Sequence, residues 1–212
     1  MVLNTCCYIA GAGEFIDRIL PRQGDFVIAA DAGYTELNTR GIIPDLVIGD
    51  FDSLGGAPKH PDIIHCPEEK DDTDMMLAVN QGLARGFKTF IINGGLGGRL
   101  DHTLANTQIL MYIAKRGARG VLTGRGMCVT AITNGIARFV SEASGYISVF
   151  SAGNRAEGVT LEGLKYPLDD ATLTCDYPLG VSNEFTGKPA VVEVRKGTLI
   201  ITWEGEPETL RG

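Results

Sequence analysis

The sequence predicts an α/β plus all-β protein, with an N-terminal, mostly parallel α/β sheet domain followed by a C-terminal β-sandwich. The first half of the 212-residue chain alternates continuous apolar runs with helical patterns, which is typical of parallel sheets covered on both faces. The second half consists of short β-branched segments separated by Gly, Pro, Asn and Asp turns. Because the pattern changes near residues 124–126, we place the two domains at 1–125 and 126–212.

Four apolar runs predict the strands of the N-terminal domain, at residues 6–10, 26–30, 46–48 and 89–92. Helical spacing over residues 73–85 and 101–115 predicts two amphipathic helices between and after them. In the second helix we expect Leu104, Met111 and Ala114 on the apolar stripe. Ligands of such sheets bind beyond the carboxyl ends of the strands, so the residues that follow each strand are the first candidates for a site.

Seven short runs predict the strands of the C-terminal domain, at residues 129–133, 137–141, 146–150, 159–161, 171–174, 191–194 and 198–203. A small sandwich with long exposed edges is often covered by a partner. The sequence therefore predicts a homodimer through this half.

Composition excludes several classes of function. A formal charge of −7 makes non-specific binding to nucleic acid or to an anionic membrane unfavourable, and no apolar run approaches the roughly 18 residues of a membrane span. The first residues lack the basic and apolar pattern of a signal peptide, so we expect a cytoplasmic protein. Five cysteines without a C-x-x-C pair favour neither a disulfide framework nor a zinc site.

Four aspartates carry the strongest chemical signal. Asp50 and Asp52 follow the third predicted strand two residues apart, and Asp74 and Asp101 begin the two predicted helices. If they share one rim, their mutual repulsion requires a cation, and oxygen-only ligands favour Mg²⁺. The alternatives are that Asp50 and Asp52 form a turn and that Asp74 and Asp101 cap helices. Asp31, at the end of the second strand, has the same two interpretations.

A glycine-rich segment between a strand and a helix is the second signal. Glycines let backbone N–H groups approach phosphate oxygens, and an adjacent arginine can bind them bidentately; here the segment contains Gly94, Gly95, Gly97, Gly98 and Arg99. It is not a Walker A motif, and a flexible turn is the alternative.

Two weaker signals accompany this loop. Lys70 belongs to a charged run that is either a solvated surface or a phosphate contact. Residues 11–13 resemble the start of a dinucleotide fingerprint, but Ile16 stands where its third glycine is required.

In order and spacing, four segments resemble the motif series of the thiamine pyrophosphokinase family: residues 30–33 (ADAG), 49–53 (GDFDS), 71–74 (DDTD) and 94–102 (GGLGGRLDH). The resemblance extends over nearly the whole chain. It implies transfer of the terminal two phosphates of ATP, as one group, to the hydroxyethyl oxygen of thiamine, giving thiamine diphosphate and AMP. It also implies a homodimer, with thiamine bound where the β domain of one subunit meets the catalytic domain of the other.

The resemblance also implies roles for individual residues. Asp50, Asp52, Asp74 and Asp101 match the acidic residues around Mg²⁺ and the phosphates, with Asp31 close by. The glycines and Arg99 match the nucleotide-binding loop, and Asp74, Asp101 and Arg99 are the candidates for catalysis.

In the second half, Ser182 and Asn183 match a Ser-Asn pair at the thiamine site, for which a simple β-turn is the alternative. Two other functions use the same residues: a Mg²⁺-dependent nucleotide or phosphoester hydrolase, and a non-catalytic nucleotide- or thiamine-sensing module.

Overall fold

The structure is a computed structural model that describes residues 5–52, 56–67 and 71–211. It divides into two compact units. The first comprises Met1–Ile109 and Leu122–Arg125, and the second comprises Leu110–Val121 and Gly126–Gly212. The second unit therefore includes twelve residues that the predicted division assigned to the first domain.

A parallel sheet forms the centre of the first unit, which confirms the fold class predicted for the N-terminal half. Its strands are β1 (Cys7–Ala10), β2 (Phe26–Ala30), β3 (Leu46–Gly49), β4 (Ile63–His65) and β5 (Thr89–Asn93). They lie in the order β5-β1-β2-β3-β4, and each neighbouring pair is parallel. Their carboxyl ends consequently meet at one edge of the sheet.

Three helices follow strands of this sheet: α1 (Gly33–Thr39), α2 (Asp74–Ala84) and α3 (Leu100–Lys115). The N-cap of α2 is Thr73, whose hydroxyl accepts a hydrogen bond from the Met76 N–H at 3.1 Å. The helix packs closely on the sheet, since a Cβ at Gly82 would lie 2.5 Å from the Phe90 ring and 2.8 Å from Cys7 Sγ.

The apolar stripe predicted for α3 is wrong. Leu104 is 59% exposed, and the buried residues of the helix are Asn106, Ile109, Leu110 and Ile113. The buried face of α3 follows the i, i+3, i+4, i+7 spacing, but its first residue, Asn106, is polar. A search for apolar residues at this spacing therefore does not detect it.

The second unit is antiparallel and β-rich, as predicted for the C-terminal half. Its strands are β7 (Met127–Phe139), β8 (Tyr146–Ser151), β9 (Arg155–Glu162), β10 (Leu168–Thr174), β11 (Gly180–Glu184), β12 (Ala190–Glu204) and β13 (Leu210–Arg211). The connecting strand β6 (Arg119–Gly124) has residues in both units.

Two long strands, β7 and β12, give the second unit its sandwich-like form. One half of β12 pairs with β9 and the other half with β8, while β7 pairs along both halves. The halves are separated by a bulge between Val194 and Thr198, where the Gly197 N–H donates to Asn134 Oδ1 at 2.8 Å. The four short strands predicted at 129–133, 137–141, 191–194 and 198–203 are therefore parts of two continuous strands.

Aromatic side chains fill the interior of this unit. Trp203 is fully buried, meets Phe139 edge-on with ring centroids 5.3 Å apart, and donates its indole N–H to Thr209 Oγ1 at 3.0 Å. Trp203 is thus a core residue of the sandwich. No helix within the described ranges is long and apolar enough to cross a membrane.

Candidate active site

Three aspartates meet at the carboxyl edge of the parallel sheet. Carboxylate oxygens of Asp31, Asp50 and Asp52 all lie within 4.8 Å of one another. Asp31 directly follows β2 and Asp50 directly follows β3, which are parallel neighbours, so the sheet itself brings these two side chains together. We call these three residues the acidic cluster.

The backbone turns sharply within the cluster. Phe51 has φ +62° and Asp31 has φ +48°, both in the left-handed region that residues with side chains rarely occupy. The Phe51 ring is fully buried, 5.7 Å from the His65 ring, and the Asp52 N–H donates to Asp50 Oδ1 at 3.2 Å. Asp50 and Asp52 therefore converge through a turn anchored by Phe51.

A pocket of about 480 Å³ in the first unit adjoins this cluster, and Asp31 belongs to both. Strand-ends and helix starts supply most of the pocket lining. The lining residues are Gly11, Ala12, Gly13, Ala30, Asp31, Thr73, Asp74, Met75, Gly94, Gly95, Gly97, Gly98, Arg99, His102 and Asn106.

The predicted glycine loop forms one wall of this pocket. It runs from the end of β5 to the start of α3, and Gly97 and Gly98 adopt φ +84° and +66°. The Asn106 side chain, buried on α3, donates to the Gly95 carbonyl at 2.8 Å and ties the loop to the helix that follows it.

Arg99 is paired with Asp101 in this structure. Its Nη2 and Nε donate to the two Asp101 carboxylate oxygens at 2.6 and 3.2 Å, and both side chains are mostly exposed. The hydrogen bond from Arg99 is the main reason that the pKa of Asp101 lies below its ordinary value, and the same bond raises the pKa of Arg99. An ion pair this exposed is weak and exchanges readily for a better partner.

Asp74 lines the pocket as the first residue of α2. Within the part of the chain that the structure describes, neither Asp74 nor Asp101 belongs to the acidic cluster. Asp101 is not among the pocket-lining residues, and Lys70 lies outside the described residues.

Sequence reasoning undervalued the segment after β1. Gly11, Ala12 and Gly13 line the pocket, facing the glycine loop. A Cβ at Gly13 would lie 2.5 Å from the Leu96 carbonyl oxygen, so only glycine permits this approach. The incomplete dinucleotide fingerprint at residues 11–13 was the sequence feature that could have indicated this wall. Close packing between the two loops explains why glycines stand there although the third glycine of the fingerprint is missing.

The two predicted thiamine contacts lie on β11 in the second unit. Ser182 is exposed with φ +57°. Asn183 is buried, and its amide binds the backbone of Tyr166 on both sides, accepting from N–H at 3.0 Å and donating to the carbonyl at 2.7 Å. Asn183 therefore fixes the neighbouring turn that carries Tyr166.

Two family models match this chain. The model described as "Thiamin pyrophosphokinase, catalytic domain" matches residues 19–122. The model described as "Thiamin pyrophosphokinase, vitamin B1 binding domain" matches residues 138–199.

Individual relatives carry the same name. Thiamine pyrophosphokinase from Bacillus subtilis (strain 168) is 31% identical over 188 residues, which cover 82% of this chain and 85% of that protein. The crystal structure of the thiamine pyrophosphokinase from Bacillus subtilis has a TM-score of 0.81 at 27% identity, covering 95% of this chain and 99% of that chain. Yeast thiamin pyrophosphokinase, at 15% identity and a TM-score of 0.73, covers 99% of this chain and 88% of its own and shares the fold.

Proposed function

Because this chain belongs to the thiamine pyrophosphokinase family, we propose that the pocket of its first unit binds the polyphosphate of ATP for transfer of a diphosphate group to thiamine. Family membership makes the chain an ATP:thiamine diphosphotransferase. The observation that supports the pocket assignment is that Asp31 belongs both to the acidic cluster and to the pocket lined by the glycine loop. Bound phosphates there would face a metal-binding group on one side and glycine backbone on the other.

The acidic cluster fits Mg²⁺. Three carboxylates within 4.8 Å offer only oxygen ligands, and their mutual repulsion is relieved by a divalent cation. Mg²⁺ keeps several waters and is usually bound by one or two protein carboxylates together with substrate phosphates, which leaves coordination positions for ATP. When bound, the ion neutralises phosphate charge during transfer. We place Asp50 and Asp52 as its ligands, with Asp31 adjoining and Asp74 and Asp101 near the ion and the phosphates.

Arg99 and the glycine loop hold the polyphosphate. Arg99 exchanges its exposed pair with Asp101 for a phosphate group, two oxygens of which the guanidinium binds bidentately. The glycines allow the backbone to approach the other phosphate oxygens closely. Lys70 remains a predicted phosphate contact.

This exchange frees a carboxylate for the substrate alcohol. Asp101, released from Arg99, or Asp74 on the pocket wall accepts a hydrogen bond from the thiamine hydroxyl and orients it. The hydroxyl oxygen attacks the β-phosphorus of ATP and releases its proton to water, the bond from that phosphorus to the α,β-bridging oxygen breaks, and AMP leaves. Positioning and electrostatics supply most of the acceleration.

The second unit contributes the thiamine contacts in this proposal. The vitamin B1 binding domain model covers residues 138–199, and this range contains β11 with Ser182 and Asn183. Ser182 is exposed and available to a ligand, while Asn183 holds the adjacent turn.

A homodimer is part of the proposal. The second unit exposes a group of large apolar or aromatic side chains, each 48% exposed or more, which we call the β11 patch: Tyr146, Tyr166, Tyr177, Leu179 and Val181. Tyr177, Leu179 and Val181 follow one another at every second position into β11, and exposed apolar surface is a common mark of interaction sites in soluble proteins. A second copy of the chain is the partner that we propose, and a cytoplasmic location remains a prediction from the sequence.

One incubation with ATP, Mg²⁺ and thiamine, followed by separation of the products, tests the function. We expect AMP and thiamine diphosphate in equal amounts, and almost no ATP consumption when thiamine is left out. ATP consumption without thiamine would identify a hydrolase, and no consumption under any condition would identify a binding module. ADP with thiamine monophosphate would identify a kinase of a different type. The variant Arg99→Met, which keeps an unbranched, flexible side chain and removes the charged guanidinium, should bind ATP more weakly if the pocket assignment is correct.

A further inference from the structure

A buried amide lies directly behind the glycine loop. Asn93 is the last residue of β5 and is fully buried. Its Nδ2 donates to Tyr8 Oη and the Ile16 carbonyl at 3.0 Å and to the Ile19 carbonyl at 2.8 Å. Its Oδ1 accepts from the Ile16 N–H and from Thr123 Oγ1, both at 3.0 Å. Both ends of the amide are therefore used.

This amide secures one end of the segment that forms the second pocket wall. Residues 11–19 leave β1, pass along the pocket at Gly11 to Gly13, and reach Asn93 at Ile16 and Ile19. Tyr8 adds to the attachment, because its hydroxyl donates to the Ile19 carbonyl at 2.8 Å.

The other end of the segment is bound to the end of β5 and to the glycine loop through backbone hydrogen bonds. The Gly11 N–H donates to the Asn93 carbonyl, the Gly13 N–H to the Gly94 carbonyl, and the Glu14 N–H to the Leu96 carbonyl, each at 2.8 Å. Asn93 therefore contacts both ends of this segment. Its side chain binds Ile16 and Ile19, and its backbone carbonyl accepts from Gly11.

Only an amide satisfies this arrangement. The Ile16 and Ile19 carbonyls accept hydrogen bonds from this side chain, while the Ile16 N–H and the Thr123 hydroxyl donate to it. A carboxylate at position 93 has no hydrogen to donate and would place its charge against carbonyl oxygens. An apolar residue would leave several buried groups unpaired.

We propose that Asn93 is a positioning residue for diphosphate transfer, which holds the segment 11–19 against the glycine loop so that both walls of the pocket are in place before the nucleotide enters. The inference rests on the proposed binding of polyphosphate in this pocket. A wall that is already ordered removes an ordering cost from binding and keeps the reacting phosphate aligned. Loosening the attachment should therefore weaken nucleotide binding and lower turnover, beyond any loss of stability.

Thr123 allows a test that spares Asn93 itself. Thr123→Val keeps the shape of the side chain and removes the hydroxyl that donates to Asn93, whereas Thr123→Ser keeps that donor. The matched control is Thr130→Val, because Thr130 is equally buried but donates to the Gly120 carbonyl in the second unit. All three variants are compared by melting temperature, by the dissociation constant for α,β-methylene ATP with Mg²⁺, and by steady-state rates.

We expect Thr123→Val to weaken nucleotide binding by about three- to tenfold, the range for one lost hydrogen bond to a buried group, with Thr123→Ser close to the unmodified chain. Thr130→Val should lower the melting temperature and leave the dissociation constant unchanged. If Thr123→Val also lowers only the melting temperature, Asn93 has a structural role alone and the inference is wrong.

Arg99→Met separates this inference from the proposed function on which it depends. Weaker binding in Arg99→Met together with normal binding in Thr123→Val would overturn the role of Asn93 and leave the pocket assignment standing. Normal binding in Arg99→Met would contradict the pocket assignment, and the role of Asn93 would fall with it.

Discussion

Single residues with unusual backbone angles shape the acidic cluster. Asp31 and Phe51 both have positive φ, a conformation that costs on the order of 1–3 kcal/mol for a residue with a side chain. Burying the Phe51 ring contributes roughly 1.5–3 kcal/mol, which is similar to the cost of the positive φ at Phe51 itself. The aspartates on either side of Phe51 are thereby presented together at the surface.

Asp52→Asn tests the cluster as a metal site. The substitution keeps the size of the side chain and removes one of three charges, so Mg²⁺ or Mn²⁺ should bind at least about tenfold more weakly, because affinity for hard cations depends on ligand charge. Isothermal titration calorimetry of the nucleotide-free protein with Mn²⁺ measures this affinity without relying on activity. Asp169→Asn, an exposed aspartate on β10, is the control and should bind Mn²⁺ normally. Equal affinity in the two variants would contradict the assignment.

Buried thiols make the free energy of unfolding depend on pH in the alkaline range. Burial raises the pKa of the Cys7 thiol from its ordinary 9.0 to about 12, and burial likewise raises the pKa values of Cys6 and Tyr8. Above pH 9 the unfolded thiol loses its proton while the folded one keeps it, so the free energy of unfolding falls as pH rises toward 12. Each such group contributes up to about 1.4 kcal/mol per pH unit.

Cys7→Ala should therefore reduce the slope of unfolding free energy against pH between pH 9 and 12, measured by urea titration at each pH. Its stability at pH 7 will also be lower, because the variant leaves a cavity in the core. Cys175→Ala removes an exposed thiol and should keep the original slope. An unchanged slope in Cys7→Ala would show that the Cys7 thiol does not contribute to the pH dependence.

Among the elements of the first unit, the two pocket walls depend on close contact between loops. The segment 11–14 donates three backbone hydrogen bonds of 2.8 Å, one to Asn93 at the end of β5 and two to the glycine loop, and such an approach excludes side chains at the points of contact. The pocket is therefore a property of the two loops together.

Gly13→Ala measures the value of this contact. The new Cβ would lie 2.5 Å from the Leu96 carbonyl oxygen and 2.6 Å from that of Gly94, both of them backbone atoms. We expect a loss of about 1–3 kcal/mol in unfolding free energy, typical of overpacking, together with weaker binding of α,β-methylene ATP. Gly153→Ala, where a Cβ meets nothing within 4 Å, is the control and should preserve both quantities. Normal nucleotide binding by Gly13→Ala would show that the contact between this segment and the glycine loop is not needed to bind the nucleotide.

Helices and strands with a continuous apolar pattern were predicted well from the sequence. The cores of β1, β2, β3 and β5 and the extent of α2 follow directly from it. The pattern missed α1 and β4, which are only seven and three residues long, as well as β6, and it divided β7 and β12 at their bulge. A bulge places turn-forming residues such as Asn134 and Gly197 inside a strand, and a single sequence cannot distinguish that from a loop.

For the molecule as a whole, the order of the four sequence motifs predicted more of the candidate site than any single apolar or helical pattern. The glycine loop and Arg99 lie in the pocket together with Asp31 and Asp74, as their positions after strands and before helices indicated. The geometry of Asp50 and Asp52 was not accessible, because the positive φ at Phe51 depends on burial of its ring. The network around Asn93 was equally inaccessible, since it joins residues up to 85 positions apart.

Assembly is the second property of the whole molecule that can be tested. We expect sedimentation equilibrium to give a dimer, and Val181→Lys on the β11 patch to shift it toward monomer by placing like charges across a twofold interface. Ile43→Lys, an 82% exposed residue of the first unit, is the control and should remain dimeric. A monomer at all concentrations would contradict the proposed homodimer.

The most direct measurement is a crystal structure of the protein with Mg²⁺ and α,β-methylene ATP, whose unreactive bridge replaces the bond that diphosphate transfer breaks. We expect the polyphosphate to lie against residues 94–99, with Arg99 turned away from Asp101. We also expect a magnesium ion coordinated by Asp50 and Asp52, beside Asp31. A nucleotide bound elsewhere, or an Arg99 still paired with Asp101 while the ion binds at another group, would contradict these expectations.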